Sequence, residues 1–224
     1  MWADFRAALT SKECDLLQQI WVKLGRVKFT ILGGGQEVSQ TVAASYLRPG
    51  DWMRGYYRCS AEALRAKVAT VRQLFAQVLG CTELGCDPAS GGRMMGNHFG
   101  SRLLGSDGEL IDLTRQVNRA SDVSCTASQM PVAVGLARAS RVFQEVAEIS
   151  ELFPRMSQGG QEVVHVSIGD ASMAEGIASE AVQQAVVQRL PVIFSVYDNR
   201  WGISVPLEES YPHASVSLAL SGLA

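Results

Sequence analysis

Asp170 and Asn199 have the residue types and the spacing of a metal site. Each follows an apolar run that is typical of a buried strand, residues 163–168 and residues 191–197. If the two strands are parallel neighbours, both polar side chains lie at the carboxyl edge of the sheet, where ligands of open α/β sheets bind. Carboxylate and amide oxygens suit a hard cation such as Mg²⁺. The alternative is an ordinary helix cap and an ordinary turn residue.

A helix is predicted between these strands, over residues 172–189. Ser172 and Glu175 have the spacing of a capping box, which predicts that the helix begins at about residue 173. Its N-terminus then faces the same edge of the sheet, and helix N-termini bind phosphate groups. A metal ion beside a helix N-terminus is the arrangement that a diphosphate cofactor requires.

Residues 168–176 and 197–204 together resemble the thiamine diphosphate motif, in which Gly-Asp-Gly is followed by Asn-Asn. The surrounding sequence resembles the alpha half of the 2-oxoacid dehydrogenase first component, the family of the pyruvate and branched-chain enzymes. The resemblance runs from about Val27 to the C-terminus. It implies a thiamine diphosphate-binding fold, α/β with a parallel sheet flanked by helices, and thiamine diphosphate with Mg²⁺ as cofactors.

The resemblance also implies a role for each matched residue. The Asp170 and Asn199 side chains and the Trp201 carbonyl are the implied Mg²⁺ ligands. Gly169 and Ala171 are expected to lie against the diphosphate, and Ile203 against the thiamine.

This sequence departs from the family motif at two positions. Ala171 stands where the common pattern has Gly, and Asp198 stands where it has the first Asn. The replacement of Gly by Ala at residue 171 is a small change in side-chain size. Asp198 adds a negative charge beside a diphosphate, so we expect its side chain to point away.

Three earlier segments carry further implied sites. Residues 55–58 resemble the Tyr-Arg dipeptide of the family, which implies that Tyr57 and Arg58 bind the diphosphate; a surface Arg is the alternative. Residues 124–135 resemble a cofactor-contacting segment, which places Ser124 and Thr126 against the cofactor.

The third segment, residues 91–100, resembles the Gly-Arg-Gln-Met-Pro-x-His loop, with Met95 and His98 in their places. His98 is the implied active-site histidine, which assists proton movements and reductive acylation of lipoate. Its alternative is a solvated side chain. We assign His165 and His213 to structure.

The remaining pattern predicts the elements that position these residues. Periodicity predicts helices over residues 11–24, 36–47, 61–79 and 130–148, and glycine density predicts a long loop over residues 80–108. The helix over 61–79 is predicted to turn its apolar side chains inward, namely Leu64, Val68, Val71, Leu74, Phe75 and Val78.

Composition bounds the function classes. The 224 residues are 47% hydrophobic and 19% charged, with a net charge of −2, which gives no case for nucleic-acid or anionic-membrane binding. No apolar run of about eighteen residues indicates a membrane span. The five cysteines lack zinc-type pairing and indicate reduced thiols, and the N-terminus lacks a secretory core, so we expect a cytoplasmic protein.

The resemblance implies an enzyme that decarboxylates a 2-oxoacid and passes the acyl group to lipoate on a dihydrolipoyl acyltransferase. We expect residues 1–224 to form a single diphosphate-binding domain, incomplete at its C-terminus. The glutamate that activates the cofactor belongs to a beta half, either a separate chain in a heterotetramer or a fused domain, so we expect the chain to be inactive without it.

Two alternative functions stay open, a non-catalytic fragment or pseudoenzyme and an acetoin dehydrogenase. A nicotinamide-binding Rossmann domain lacks its glycine-rich turn here.

Overall fold

The computed structural model describes residues 1–94, 96–122 and 124–223. Met95, which the sequence matches to the family loop, lies outside the described residues. The chain divides into two compact units, which we call unit 1 (Met1–Asp51 with Gly55–Asp122) and unit 2 (Trp52–Arg54 with Val123–Ala224). The expectation of a single domain, incomplete at its C-terminus, stays a prediction.

The helices are α1 Trp2–Lys23, α2 Glu37–Ser45, α3 Ser60–Arg65, α4 Val71–Val78, α5 Gln129–Glu145, α6 Ala147–Leu152, α7 Gly176–Val187 and α8 Val216–Leu220. The strands are β1 Trp52–Arg54, β2 Asn118–Arg119, β3 Val164–Gly169, β4 Val192–Tyr197, β5 Trp201–Gly202 and β6 Val205–Pro206. Among the described residues, no helix is long and apolar enough to cross a membrane.

Unit 2 is built on a parallel sheet in which β3 lies between β1 and β4. The first five residues of β3 are buried, and Val164, Val166 and Ile168 lie in the core with side chains of α5 and α7. Each such side chain contributes about 1.5–3 kcal/mol when it leaves water. α5 packs against β3, and α7 packs against α5. The predicted α/β architecture with its parallel pair and crossover helix is confirmed.

In unit 1, α1, α2 and α3 pack against one another. The buried face of α1 is largely polar and includes Ser11, Asp15 and Gln18. Ser11 Oγ lies 2.7 Å from Ser60 Oγ, and Thr30 Oγ1 donates to Gln18 Oε1 at 2.5 Å. Large apolar side chains of α1 are exposed instead, namely Trp2, Phe5, Leu9, Leu16, Leu17 and Ile20. The hydrogen bonds of its polar face therefore fix the orientation of this helix.

The prediction of one helix over residues 61–79 is wrong. The structure has two helices, α3 and α4, and Lys67 between them has a left-handed φ of 61°. Thr70 begins α4 with a capping box, in which its side chain accepts from Gln73 N and the Gln73 side chain accepts from Thr70 N. Two of the backbone donors at the helix start are thereby satisfied, which stabilises a new start at this point.

The start predicted for the helix after Asp170 is also wrong. Residues Ala171–Ala174 form a 3₁₀ turn, and α7 begins only at Gly176. Glu175 is the N-cap of α7, and no side chain caps the helix. The Ser172–Glu175 spacing therefore produces a turn rather than a capping box.

Candidate functional site

The predicted site residues fall into two groups. Tyr57, Arg58 and His98 belong to unit 1. The predicted metal ligands belong to unit 2, together with Ser124, Thr126, Gly169, Ala171 and Ile203.

In unit 2, β3 and β4 end in register. Gly169 is aligned with Tyr197, and Asp170 N donates to Tyr197 O at 3.4 Å. Asp170 and the segment that begins at Asp198 therefore leave the sheet side by side, at the carboxyl edge where the sequence predicts them. The predicted meeting of the two strand ends is confirmed.

Asp170 is 2% exposed, and within the described residues its Oδ2 atom has no hydrogen-bond partner. Burial raises the pKa of its carboxyl, and the nearby Asp198 carboxyl raises that pKa further against the hydrogen bond from the Ala171 backbone. The expectation that the Asp198 side chain points away is therefore wrong, since its carboxyl interacts with that of Asp170. Two neighbouring carboxyl groups repel each other when both are ionised. A cation bound by Asp170 would lessen this repulsion and satisfy the buried Oδ2 atom, so the site fits a divalent metal ion.

The turn after β4 orients its polar oxygens through local hydrogen bonds. Asp198 Oδ1 accepts from Arg200 N at 2.8 Å, and Asn199 Oδ1 accepts from Trp201 N at 2.9 Å. An amide oxygen has two lone pairs, so Asn199 Oδ1 retains acceptor capacity for a cation. Among the described residues no cluster of three or more His, Cys, Asp or Glu side chains could hold a metal. A cation here would need ligands beyond its carboxylates, such as this amide and diphosphate oxygens.

The next turn packs against Ala171. A Cβ atom built on Gly202 would lie 2.6 Å from Ala171 Cβ, so a side chain at residue 202 is excluded by this approach. Ile203 has a positive φ of 61° and is 98% exposed. Its predicted contact with thiamine stays a prediction, and its exposure leaves it accessible to a ligand.

Ser124 and Thr126 lie in the exposed segment before α5. The helix after this segment is tied to the central strand, because Gln129 Nε2 donates to Ser167 O at 3.3 Å. Cys125, between the two predicted contacts, is exposed, and all five cysteines are free.

In unit 1, Arg58 has a fixed side chain. Its NH1 atom donates to Leu32 O at 2.8 Å, and its guanidinium lies over the Tyr57 ring, 5.1 Å from the ring centroid. Within the described residues the guanidinium makes no other hydrogen bond, so most of its five N–H donors remain for a ligand. The pair thus presents an oriented cation, as phosphate binding requires.

His98 is buried rather than solvated, with 7% of the residue exposed. Gln77 of α4 holds its backbone on both sides, since Gln77 Nε2 donates to His98 O at 2.7 Å and Gln77 Oε1 accepts from His98 N at 3.0 Å. His98 Nδ1 lies 3.0 Å from Gly96 O. For the described part of residues 80–108 the predicted long loop is confirmed, and this histidine is anchored within it.

A buried ion pair supports the residues on each side of His98. Arg119 NH2 lies 2.7 Å from Asp122 Oδ2, and their side chains are 0% and 2% exposed. Arg119 also donates to Asn97 O at 3.3 Å, while Asp122 accepts from Phe99 N at 3.3 Å. The pair thus holds the backbone immediately before and after His98.

Asp87 orders the start of the same loop. It is fully buried and accepts hydrogen bonds from Ser90 Oγ at 2.6 Å, Gly92 N at 3.0 Å and Gln77 Nε2 at 3.3 Å. Burial alone would raise the pKa of Asp87, but these hydrogen bonds outweigh burial and lower that pKa. The carboxylate therefore stays ionised. Its hydrogen bonds hold this part of the loop in place, as strand pairing would in a sheet.

Sequence reasoning missed several supporting residues, namely Gln77, Asp87, Arg119, Asp122 and Tyr211. Tyr211 OH donates to Asp170 O at 3.0 Å, and burial with the Asp170 charge raises the pKa of Tyr211 to about 12. None of these residues belongs to a motif. The one available signal was the presence of polar side chains within apolar surroundings.

Comparisons with known proteins identify relatives along nearly the whole chain. Residues 6–220 match the family model for the dehydrogenase E1 component. The chain is 30% identical over 216 residues to a 2-oxoisovalerate dehydrogenase subunit alpha of Bacillus subtilis, covering 95% of this chain and 55% of that protein. It is 24% identical over 194 residues to a chloroplastic pyruvate dehydrogenase E1 component subunit alpha-3 of Arabidopsis thaliana, covering 85% of this chain and 38% of that protein. The chain spans about half or less of the length of these relatives.

Proposed function

The chain belongs to the dehydrogenase E1 component family, and on that premise we propose that it is the diphosphate-binding alpha part of a 2-oxoacid dehydrogenase. The proposed reaction is the oxidative decarboxylation of a 2-oxoacid with transfer of the acyl group to lipoate. The observation that carries the proposal is the buried Asp170 carboxyl, whose Oδ2 atom has no hydrogen-bond partner within the described residues and which leaves the sheet beside the segment that contains Asn199.

The proposed metal site uses the Asp170 carboxylate, the Asn199 amide oxygen and the Trp201 carbonyl for Mg²⁺. The proposed diphosphate contacts are Tyr57, Arg58, Gly169 and Ala171, and the contacts with the rest of the cofactor are Ser124, Thr126 and Ile203. Thiamine diphosphate supplies, when bound, the carbanion chemistry that removes CO₂ from a 2-oxoacid. The protein supplies binding, orientation and charge neutralisation.

His98 is proposed to move protons. The Nδ1 contact with the Gly96 carbonyl favours the tautomer with its proton on Nδ1. Gln77 holds the backbone of this histidine, and the Nδ1 contact with Gly96 O orients its ring. These features suit a general acid and base whose orientation does not have to be established during the reaction.

We propose that activity requires a beta half, as a separate chain in a heterotetramer or as a fused domain, and a lipoyl-bearing dihydrolipoyl acyltransferase. A cytoplasmic location stays a prediction, and the names of some relatives carry the words mitochondrial or chloroplastic. The relatives' names include 2-oxoisovalerate and pyruvate dehydrogenases, so both 2-oxoacids belong in a substrate panel.

The proposal is tested by calorimetric titration of thiamine diphosphate with Mg²⁺ into the chain assembled with its beta partner. Asp170→Ala should abolish metal-dependent binding, whereas Glu180→Ala, an exposed carboxylate on α7, should leave binding unchanged. Saturable binding lost only in Asp170→Ala supports the proposal and justifies the 2-oxoacid panel, with acetoin included. No binding by a demonstrably assembled complex would overturn it in favour of a non-catalytic member of the family.

A further inference from the structure

The segment that contacts Arg58 is itself held by a buried carboxylate of α1. Asp15 is 4% exposed, and its Oδ2 atom accepts from Gly33 N at 2.8 Å. The residue before Gly33 is Leu32, whose carbonyl accepts from Arg58 NH1 at 2.8 Å. One peptide unit thus joins the two hydrogen bonds, because the Leu32 carbonyl and the Gly33 N–H belong to the same amide.

The rigid amide plane links the position of the Arg58 guanidinium to that of the Asp15 carboxylate. A peptide group is rigid and planar, so a hydrogen bond that fixes its N–H also fixes the direction of its C=O. Asp15 accepts from the N–H at one edge of this planar group, and Arg58 donates to the C=O at the opposite edge. Loss of the Asp15 acceptor would leave the peptide free to rotate and would release the guanidinium from its one hydrogen bond within the described residues.

Close packing against Arg58 excludes a side chain at residue 33. A Cβ atom on Gly33 would lie 2.7 Å from Arg58 O, a distance that real side chains do not adopt. Gln40 Nε2 donates to the same Arg58 O at 3.0 Å. The backbone of Arg58 is therefore held between α2 and the Gly33 segment, while its side chain depends on Leu32.

Other charges surround the Asp15 carboxyl. Glu37 Oε2 accepts from Gly35 N at 2.8 Å, and Lys12 Nζ lies 4.0 Å from Glu37 Oε1. Burial raises the pKa of Asp15 to about 6, with the Gly33 hydrogen bond lowering it, Glu37 raising it, and Lys12 and Arg58 lowering it. Cys14 is the adjacent buried thiol, and the negative charge of Asp15 helps to raise its pKa.

We propose that Asp15 is a positioning residue for diphosphate binding, acting through the Leu32–Gly33 peptide on the Arg58 guanidinium. This inference rests on the proposed function, in which Arg58 contacts the diphosphate. In this proposal Asp15 acts through the peptide and not by contact with the diphosphate. Its ionised carboxylate is the stronger acceptor, so the effect on Arg58 weakens as Asp15 takes up a proton.

The test measures the affinity for thiamine diphosphate with Mg²⁺ by calorimetry, in the chain assembled with its beta partner, from pH 5.5 to pH 8. Asp15→Ala should weaken binding about tenfold at pH 7.5, as expected for the loss of one oriented contact. Asp15→Asn retains an oxygen acceptor and should stay within about threefold of the wild type at that pH. The ratio of wild-type to Asp15→Asn affinity should fall as the pH falls through about 6, and titration of the ligand cancels in this ratio.

Two further variants separate the possible outcomes. Ser11→Ala removes a hydrogen bond from the same buried face of α1, to Ser60, and should leave the affinity unchanged. Arg58→Ala should weaken binding more than Asp15→Ala does.

If Arg58→Ala weakens binding while Asp15→Ala binds as the wild type does, the Asp15 role is overturned and the proposed function stands. If Arg58→Ala has no effect, the Arg58 assignment fails together with the inference. An equal loss in Asp15→Ala and Ser11→Ala would show a general packing effect and would also overturn it.

Discussion

The side-chain amide of Gln77 forms two hydrogen bonds with the backbone of a single residue, His98. Its Nε2 atom donates to His98 O at 2.7 Å and its Oε1 atom accepts from His98 N at 3.0 Å. A helix thereby fixes a loop residue that has no strand neighbour of its own. Arg119, Asp122 and Asp15 are further buried side chains of unit 1 that hydrogen-bond to backbone groups of loop residues.

Gln77→Leu should destabilise the chain by about 2–6 kcal/mol. Leucine has a similar volume but leaves the buried N–H and C=O of His98 without this partner, and each buried unsatisfied group costs about 1–3 kcal/mol. Denaturant unfolding followed by circular dichroism measures the change. Gln188→Leu, at an exposed position after α7, is the matched control and should change stability by less than about 0.5 kcal/mol. Equal effects of the two substitutions would contradict the role given to Gln77.

The Arg119–Asp122 pair should show strong coupling in a double-mutant cycle. Arg119→Met or Asp122→Leu alone removes one partner of a buried ion pair, at a cost of about 3–5 kcal/mol. The double variant removes both charges and should be more stable than either single variant. Unfolding free energies of the four proteins give the coupling. If the two single effects simply add, the ion pair is not the element that supports the His98 loop.

Asp15 should make stability depend on pH. Its pKa is about 6 in the folded chain and has an ordinary value near 3.8 when unfolded. Between these values the folded state binds more protons, so this group's contribution is fully present below about pH 4 and is lost as the pH rises through about 6. The loss amounts to about 3 kcal/mol, from about two pKa units.

Asp15→Asn removes this titration, so its stability relative to the wild type should rise between pH 4 and pH 7 and then level off. Unfolding free energies at half-unit pH intervals provide the measurement. Asp107→Asn, at an exposed loop position, serves as the control and should show no such rise. A pH-independent difference between Asp15→Asn and the wild type would exclude a raised pKa at Asp15.

Thr70→Ala should cost about 1 kcal/mol, because it removes the side-chain acceptor that caps α4. Thr70→Ser keeps the hydroxyl and should recover most of this loss. Thermal unfolding of the two variants beside the wild type measures the difference. An equal loss in both would indicate that the β-branched methyl group, rather than the cap, stabilises this position.

The sheet was predictable from sequence because its signal is local. The apolar runs around Val166 and Phe194 are long and bounded by turn residues, and parallel strands bring the residues after their carboxyl ends to one edge. The break between α3 and α4 was also encoded locally, in Thr70 and Gln73, but the apolar periodicity across it favoured one helix.

The supports of His98 could not be predicted in the same way. Gln77 is 21 positions from His98 in the sequence, and Arg119 contacts Asn97 across 22 positions. Such contacts depend on tertiary packing. No sequence pattern around an isolated Gln or Arg indicates which residue it will contact. The roles of Asp170, Asn199 and the other implied cofactor contacts stay predictions until ligand binding is measured.

The orientation of α1 affects how the isolated chain will behave in solution. Its polar side chains face inward, so that Trp2, Phe5 and Ile20 are 79%, 58% and 51% exposed. Contiguous apolar surface of this kind promotes self-association in water. Preparations of this chain should therefore lose monomer as concentration and salt increase, and Phe5→Glu should improve recovery without changing the hydrogen bonds of the opposite face. Light scattering across a concentration series would show this directly.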